Sequence, residues 1–187
     1  MELMPYLKAF ATKISGGEIE IYNEASIQCE LAIFLRNILP SKYKIQLERS
    51  INYFGLNKGN FLKKEMDIVI YTPDKTEKYC IELKFPTNGQ YPEQMFSACK
   101  DINFLEQLVK YGFTSCYFIM FANDHLFYID QGNEGIYKIF RKDKLIRGEI
   151  RKPTGEKEEV LHLNGEYKIE WQTLNENLKY FIIDVKK

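Results

Sequence analysis

The sequence predicts an α/β fold in which a mixed central sheet is flanked by helices. Three observations carry this. Residues 23–39 and 92–111 repeat apolar side chains at helical spacing, residues 43–54, 64–71 and 78–85 read as strands, and residues 115–122 form the most continuously apolar run, directly after the second helix. Strands joined by a tight turn pair antiparallel, whereas a helix between two strands ordinarily makes a parallel crossover, so the sheet must be mixed.

The first helix carries Ile27, Leu31, Phe34, Leu35 and Ile38 on one face. Asn23 is placed to cap it, Glu24 in the first turn suits the helix dipole, and Pro40 stops it. Before it lies a start of undefined structure and a break at Ser15, Gly16 and Gly17. Residues 43–54 alternate as a strand, and 55–60 loop toward a hairpin turning at Pro73, Asp74 and Lys75. The second helix has Pro92 at its start, Met95, Phe96, Cys99, Ile102, Leu105 and Leu108 along its apolar face, and Gly112 past its end. Beyond residue 122, strands are expected at 126–130, 136–140, 167–171 and 180–185, with loops at 131–135 and 152–159. No repeat, linker or domain boundary is visible, so residues 1–187 read as one domain, with a core at about 23–122 and a C-terminal elaboration at about 123–187.

The hairpin brings charge into an apolar sheet. Opposed residue numbers in an antiparallel pair have a constant sum, and a turn centred between Asp74 and Lys75 sets that sum so that Asp67 faces Glu82. Alternation puts Cys80, Glu82 and Lys84 on the face shared by Asp67, Val69 and Tyr71, while Tyr79, Ile81, Leu83 and Phe85 face a packed layer. Opposed like charges destabilise a sheet at Cβ separations of roughly 4.5–5.5 Å. Ionised groups in a central strand are costly unless paired or bound to metal. A divalent cation is the first candidate for the compensating charge and Lys84 the second.

Composition narrows the classes. Hydrophobic residues make up 45% and charged residues 28%, with a formal net charge of +0 and pI near 6.7, so any polyanion contact must come from a local concentration of positive charge. No stretch approaches the ~20 apolar residues needed to cross a bilayer, and no basic segment followed by an apolar run opens the chain, so a cytoplasmic protein with no membrane partner is expected. Cys29, Cys80, Cys99 and Cys116 occur singly in apolar contexts, which reads as buried free thiols rather than zinc ligands. His125 and His162 are isolated, and no glycine-rich phosphate loop is present.

On Asp67, Glu82-Leu83-Lys84 and the order αβββαβ over residues 23–122, the chain resembles the PD-(D/E)xK nuclease superfamily, with its restriction-endonuclease-like core. Met66 stands where the motif has proline, a position that contributes no ligand. The resemblance implies a Mg²⁺-dependent nuclease that hydrolyses phosphodiester bonds, with Mn²⁺ able to substitute. Asp67, Glu82 and the backbone carbonyl of Leu83 would hold the metal, and Lys84 would stabilise charge first and activate water second. A glutamate on the first helix completes the acidic cluster in many members; Glu24 continues the buried face and is preferred, with Glu30 the alternative. Gln94 resembles the polar helix residue some members place near the attacking water.

The expected partner is nucleic acid, DNA before RNA, with contacts from Lys58, Lys63 and Lys64 beside the hairpin and from Arg141, Lys142 and Lys144 in the basic run of residues 138–152. A homodimer would suit double-strand cutting. The competing reading is a non-catalytic nucleic-acid-binding or interaction module that keeps the nuclease fold.

Overall fold

The computed structural model describes all residues except 88, 130–133 and 156–158. Helix α1 spans Met4–Ser15 and α2 Glu24–Ile38; strands β1 Lys44–Ser50, β2 Glu65–Tyr71 and β3 Lys78–Lys84 follow, then α3 Tyr91–Lys110 and β4 Ser115–Ala122. A short helix α4, Gly135–Tyr137, runs into a π-helical turn at Lys138–Asp143, and β5 Leu145–Arg151, β6 Val160–Lys168, β7 Gln172–Thr173 and β8 Lys179–Val185 complete the chain. Six strands form one mixed sheet in the order β1-β2-β3-β4-β8-β7, in which β3 and β4 run parallel and the other neighbours antiparallel. Strands β5 and β6 form a separate hairpin.

The sheet is buried on both faces, as its apolar central strands require. On one side Ile68, Ile70, Tyr79, Ile81 and Leu83 pack against Leu7 and Phe10 of α1 and Ile27, Leu31 and Leu35 of α2. On the other, Val69, Cys80, Cys116 and Phe118 meet Met95, Cys99, Ile102 and Leu105 of α3, with Ile146, Ile150 and Leu161 of the β5–β6 hairpin in the same cluster. Every residue of β4 is buried, in keeping with its unbroken apolar run.

Local chemistry sets the ends of these elements. The Asn23 side chain accepts a hydrogen bond from the Ser26 amide at 2.8 Å, and Ser26 Oγ accepts one from the Asn23 amide at 3.1 Å. This reciprocal cap fixes the first turn of α2. In the hairpin, Asp74 accepts from the amide and hydroxyl of Thr76 and from the hydroxyl of Thr72, while Lys75 adopts φ 60°, so the turn sits where the sequence predicts it. The register follows, with Ile68 opposite Ile81, Val69 opposite Cys80 and Ile70 opposite Tyr79.

Several expectations need correcting. Residues 4–15 are helical, with Leu7, Phe10, Ala11 and Ile14 on the buried stripe. Strand β1 stops at Ser50, and Ile51–Phe54 is a 3-10 turn closed by Gly55 at φ 76°. Residues 136–140 are helical rather than extended, because Ile136 and Phe140, four apart, are both buried. Leu126 and Phe127 lie in a 3-10 turn, and Asp130 falls outside the described residues, as do 131–133 of the expected loop at 131–135. The basic run contains β5, and the strand expected at 167–171 is β6, which ends at Lys168. Cys80, Cys99 and Cys116 are buried thiols, but Cys29 is exposed.

Candidate functional site

Regular pairing of β2 with β3 ends at Ile68 and Ile81, so Asp67 and Glu82, next in register, face each other where the strands part. Their carboxylates replace the missing ladder bonds. The Leu83 amide donates to Asp67 Oδ2 at 2.7 Å, and the Asp67 amide donates to Glu82 Oε1 at 3.2 Å. Alternation along β2 breaks at the same point: Met66, which should lie with Ile68 and Ile70, packs instead on the α3 side. Across on β1, Leu47 pairs with Ile68 and Arg49 with Met66, and the intervening Glu48 adopts φ 48°, a left-handed conformation uncommon outside glycine. Gln28 of α2 secures this irregularity by donating to Glu48 Oε1 and to the Asp67 carbonyl oxygen.

Two ammonium groups serve the carboxylates. Lys63 Nζ makes a close ion pair with Glu82 Oε2 and lies 3.1 Å from Asp101 Oδ1 and 3.7 Å from Asp67 Oδ1. Lys84 Nζ lies 3.3 Å from Asp101 Oδ2 and 3.8 Å from Glu24 Oε2, and Glu24 Oε2 also accepts from the Phe85 amide at 3.2 Å. Glu82 is fully buried and the Asp101 side chain is 5% exposed, with its Oδ2 making no hydrogen bond. Four carboxyl groups therefore share two ammoniums, so full ionisation of all four would leave a formal excess of negative charge.

The protonation behaviour follows first from burial and then from the neighbouring charges. Burial, reinforced by Asp67, pushes the Glu82 carboxyl well above the usual carboxylate range. Burial likewise pushes Asp67 up to about 6, against the opposing pull of Lys63 and the Leu83 amide. Burial acts to lower both lysines, but the carboxylates outweigh it: Glu82, Asp101 and Asp67 hold Lys63 well above its ordinary value, and Asp101 and Glu24 raise Lys84. Lys84 thus stands in the site as a cation, suited to stabilising charge rather than to accepting a proton.

Asp67 and Glu82 meet on Lys63, whereas Lys84 makes its ion pairs with Asp101 and Glu24 and none with the two opposed acids; of the two candidate glutamates, Glu24 is the one that reaches Lys84. Leu83 enters the cluster through its amide. Gln94 sits half-buried in the first turn of α3 beside Glu93, which lines the neighbouring cleft. Lys63 is not a surface contact: its ammonium points inward, because buried carboxylates attract it more strongly than solvent does. Arg141 is also withdrawn from the surface, being buried, donating to the Leu126 carbonyl and lying over the Tyr137 ring. Lys64, Lys142 and Lys144 are exposed and Lys58 is half-exposed.

Asp101 is the residue the sequence reading passes over. It is an acid flanked at i−3 by Ala98, at i+3 by Phe104 and at i+4 by Leu105, all buried, so the apolar stripe itself was the available signal. Gln28 and Glu48 leave no comparable trace, since both depend on the irregular strand end.

Clefts flank the cluster on two sides. One of about 250 Å³ is lined by Glu24, Gln28, Glu48 and Asp67 and is acidic; another of about 450 Å³ is lined by Lys63, Lys84, Lys100 and Lys152 together with Glu93, Asp101 and Glu159, the last pairing with Lys100 and Lys152. A larger cleft of about 650 Å³ lies elsewhere, between α3, β6 and the last residues of the chain, and holds none of these groups. Among the described residues, no three His, Cys, Asp or Glu side chains are arranged to hold a metal ion by themselves. The two opposed acids are oxygen donors of the kind an ion such as Mg²⁺ takes, one or two carboxylates with water and phosphate oxygens completing its shell. The position between them already attracts a cation, the Lys63 ammonium. Among the described residues no helix is long and apolar enough to cross a membrane. Compared with known proteins, the chain matches no family model, no curated protein and no solved structure.

Proposed function

We propose that the chain is a metal-dependent nuclease that hydrolyses phosphodiester bonds of DNA on a restriction-endonuclease-like αβββαβ core. The order α2-β1-β2-β3-α3-β4, with β3 and β4 parallel, supports the core. One observation carries the chemistry: two largely buried carboxyls, Asp67 and Glu82, opposed at the parted ends of two central strands, share the single Lys63 ammonium and are linked through Asp101 to Lys84. Ionising both acids there costs stability unless a cation accompanies the charge; otherwise a proton neutralises it.

Asp67 and Glu82 would hold Mg²⁺, or Mn²⁺ in its place. The bound ion supplies offset of phosphate charge and a more nucleophilic water. Lys84, kept protonated by Asp101 and Glu24, stabilises negative charge gathering on the phosphate oxygens. Glu24 and Asp101 are positioning residues, each within ion-pair distance of that ammonium. An anionic backbone would lie along the adjoining cleft, whose four lysines, each already ion-paired, stand among Glu93, Asp101 and Glu159.

The assignment is tested by incubating plasmid and single-stranded DNA with the purified protein and Mg²⁺ or Mn²⁺. Cleavage is expected to need the metal and to fall by about 10³-fold or more in Asp67→Asn and Lys84→Met. Equal activity in wild type and both variants would remove it. A second reading, a binding module that keeps the fold, draws on the Lys63 ion pair, since that lysine already gives Glu82 a partner without metal. It predicts DNA retention with no cleavage and no heat on titration with Mn²⁺.

A further inference from the structure

Lys63 is the one charged group in the cluster that comes from neither the strands nor the helices around it. It belongs to the segment between the 3-10 turn Lys58–Asn60 and β2. The backbone there is fastened independently of the ammonium: the Leu62 amide donates to Gln107 Oε1 at 3.0 Å, the Ile51 amide donates to the Lys64 carbonyl at 3.1 Å, and the Phe61 ring lies against Phe104 and Tyr111. The side chain is 29% exposed and lines the larger adjoining cleft, so its flexible stem has a route outward while the backbone stays in place. Lys84 lines the same cleft but is less exposed, at 14%, and pairs with Asp101 and Glu24 rather than with the two opposed acids.

Inward, the Lys63 ammonium touches three carboxylates from three different elements or strand ends: Glu82, Asp101 and Asp67. Beside them Asp101 Oδ2 is buried and has only the Lys84 ammonium, at 3.3 Å, as its partner. One monovalent group is thus doing a job for which the cluster has charge to spare. From this geometry we infer that Lys63 is a tethered stand-in for the divalent cation: it neutralises Glu82, Asp101 and Asp67 while no metal is bound, and a metal expels it on binding. This rests on the metal-dependent reading above and adds to it a built-in competitor. Metal loading then exchanges one internal cation for an external one, so the acids are never buried together without positive charge. Apparent metal affinity is lowered by the work of displacing the lysine, in the way any competing ligand lowers it.

The test compares wild type, Lys63→Met, Asp101→Asn and the double variant Lys63→Met/Asp101→Asn. Mn²⁺ binding is read by calorimetry and unfolding by thermal melts, in EDTA and with saturating Mn²⁺. Lys63→Met keeps the stem and removes the charge. It is expected to melt below wild type in EDTA, to bind Mn²⁺ about tenfold tighter or more, and to gain more melting temperature from Mn²⁺ than wild type does. Should Lys63→Met not fold, the double variant carries the comparison against Asp101→Asn alone, with the same tightening expected. If wild type binds Mn²⁺ and removal of the lysine charge leaves that affinity unchanged or weaker, the inference is overturned while the metal reading stands. If no folded form binds Mn²⁺, the metal reading falls and this inference with it.

Discussion

Asp67 takes on three tasks at once: its carboxylate caps the Leu83 amide, its carbonyl holds Gln28, and its charge adds to a buried excess. The last has a measurable consequence. An ordinary aspartate titrates near 3.8 and Asp67 near 6, so the folded protein binds this proton more tightly than the unfolded chain does. The stabilisation from protonation is complete below about pH 4 and is lost as pH rises through about 6. For this group alone the difference amounts to about 3 kcal/mol, to order of magnitude. Metal-free wild type is therefore expected to gain stability between pH 7 and pH 5, and Asp67→Asn to show a flatter profile and greater stability at pH 7. Urea melts in EDTA across that range check this; parallel profiles for the two proteins would contradict it. The same residue marks how far sequence could reach. Turn symmetry around Asp74 and Lys75 predicts the Asp67–Glu82 opposition, and the register bears it out. That Lys63 would be the nearest cation follows from the path of a loop, for which no periodicity exists to read.

At the scale of elements, the site depends on where α2 begins. Glu24 is its first residue, directly after the Asn23 cap, so fraying of that turn would draw Glu24 away from Lys84 and the Phe85 amide. Asn23→Ala is expected to cost about 1 kcal/mol in chemical denaturation and to reduce DNA cleavage more than a comparable change at the other end of the helix. Rates for Asn23→Ala and for Asn37→Ala, near the far end of α2, make the comparison; equal losses would sever the link between cap and site. Elements with one dominant signal were legible. Helix α2 ends within a residue of its apolar pattern, and β4 coincides with its unbroken apolar run. Where two signals compete, one hides the other. Pro5 and an undifferentiated start obscured the stripe of Leu7, Phe10 and Ile14 in α1. In β5 the arginines and Glu149 masked Ile146 and Ile150, and a register shift between Arg147 and Gly148 further breaks the strand pattern.

For the whole molecule, α3 is the shared wall. One side of it packs on the sheet and supplies Asp101 to the site, while Glu106 reaches the β5–β6 hairpin, accepting hydrogen bonds from the amides of Asn164 and Gly165 and from the Tyr167 hydroxyl. Hydrogen bonds to a charged group contribute about 1.5–3 kcal/mol each at most, and these share one carboxylate. Glu106→Ala is accordingly expected to destabilise by about 2 kcal/mol and to speed hydrogen exchange in β5 and β6 while leaving β2 and β3 protected. Uniform acceleration across the sheet would show that the hairpin and the site share one cooperative unit instead. This long-range tie was invisible in the sequence, because Glu106 and Gly165 lie far apart in the chain and neither stands out in its own neighbourhood.

The central claim is that the opposed acids at the parted strand ends exist to receive a divalent cation. A crystal structure of the protein soaked in Mn²⁺, with anomalous scattering recorded for the metal, tests it most directly. The account predicts an anomalous peak in contact with both Asp67 and Glu82, with the Lys63 ammonium moved out of the cluster. A site with no peak, and Lys63 still seated against Glu82, would contradict it.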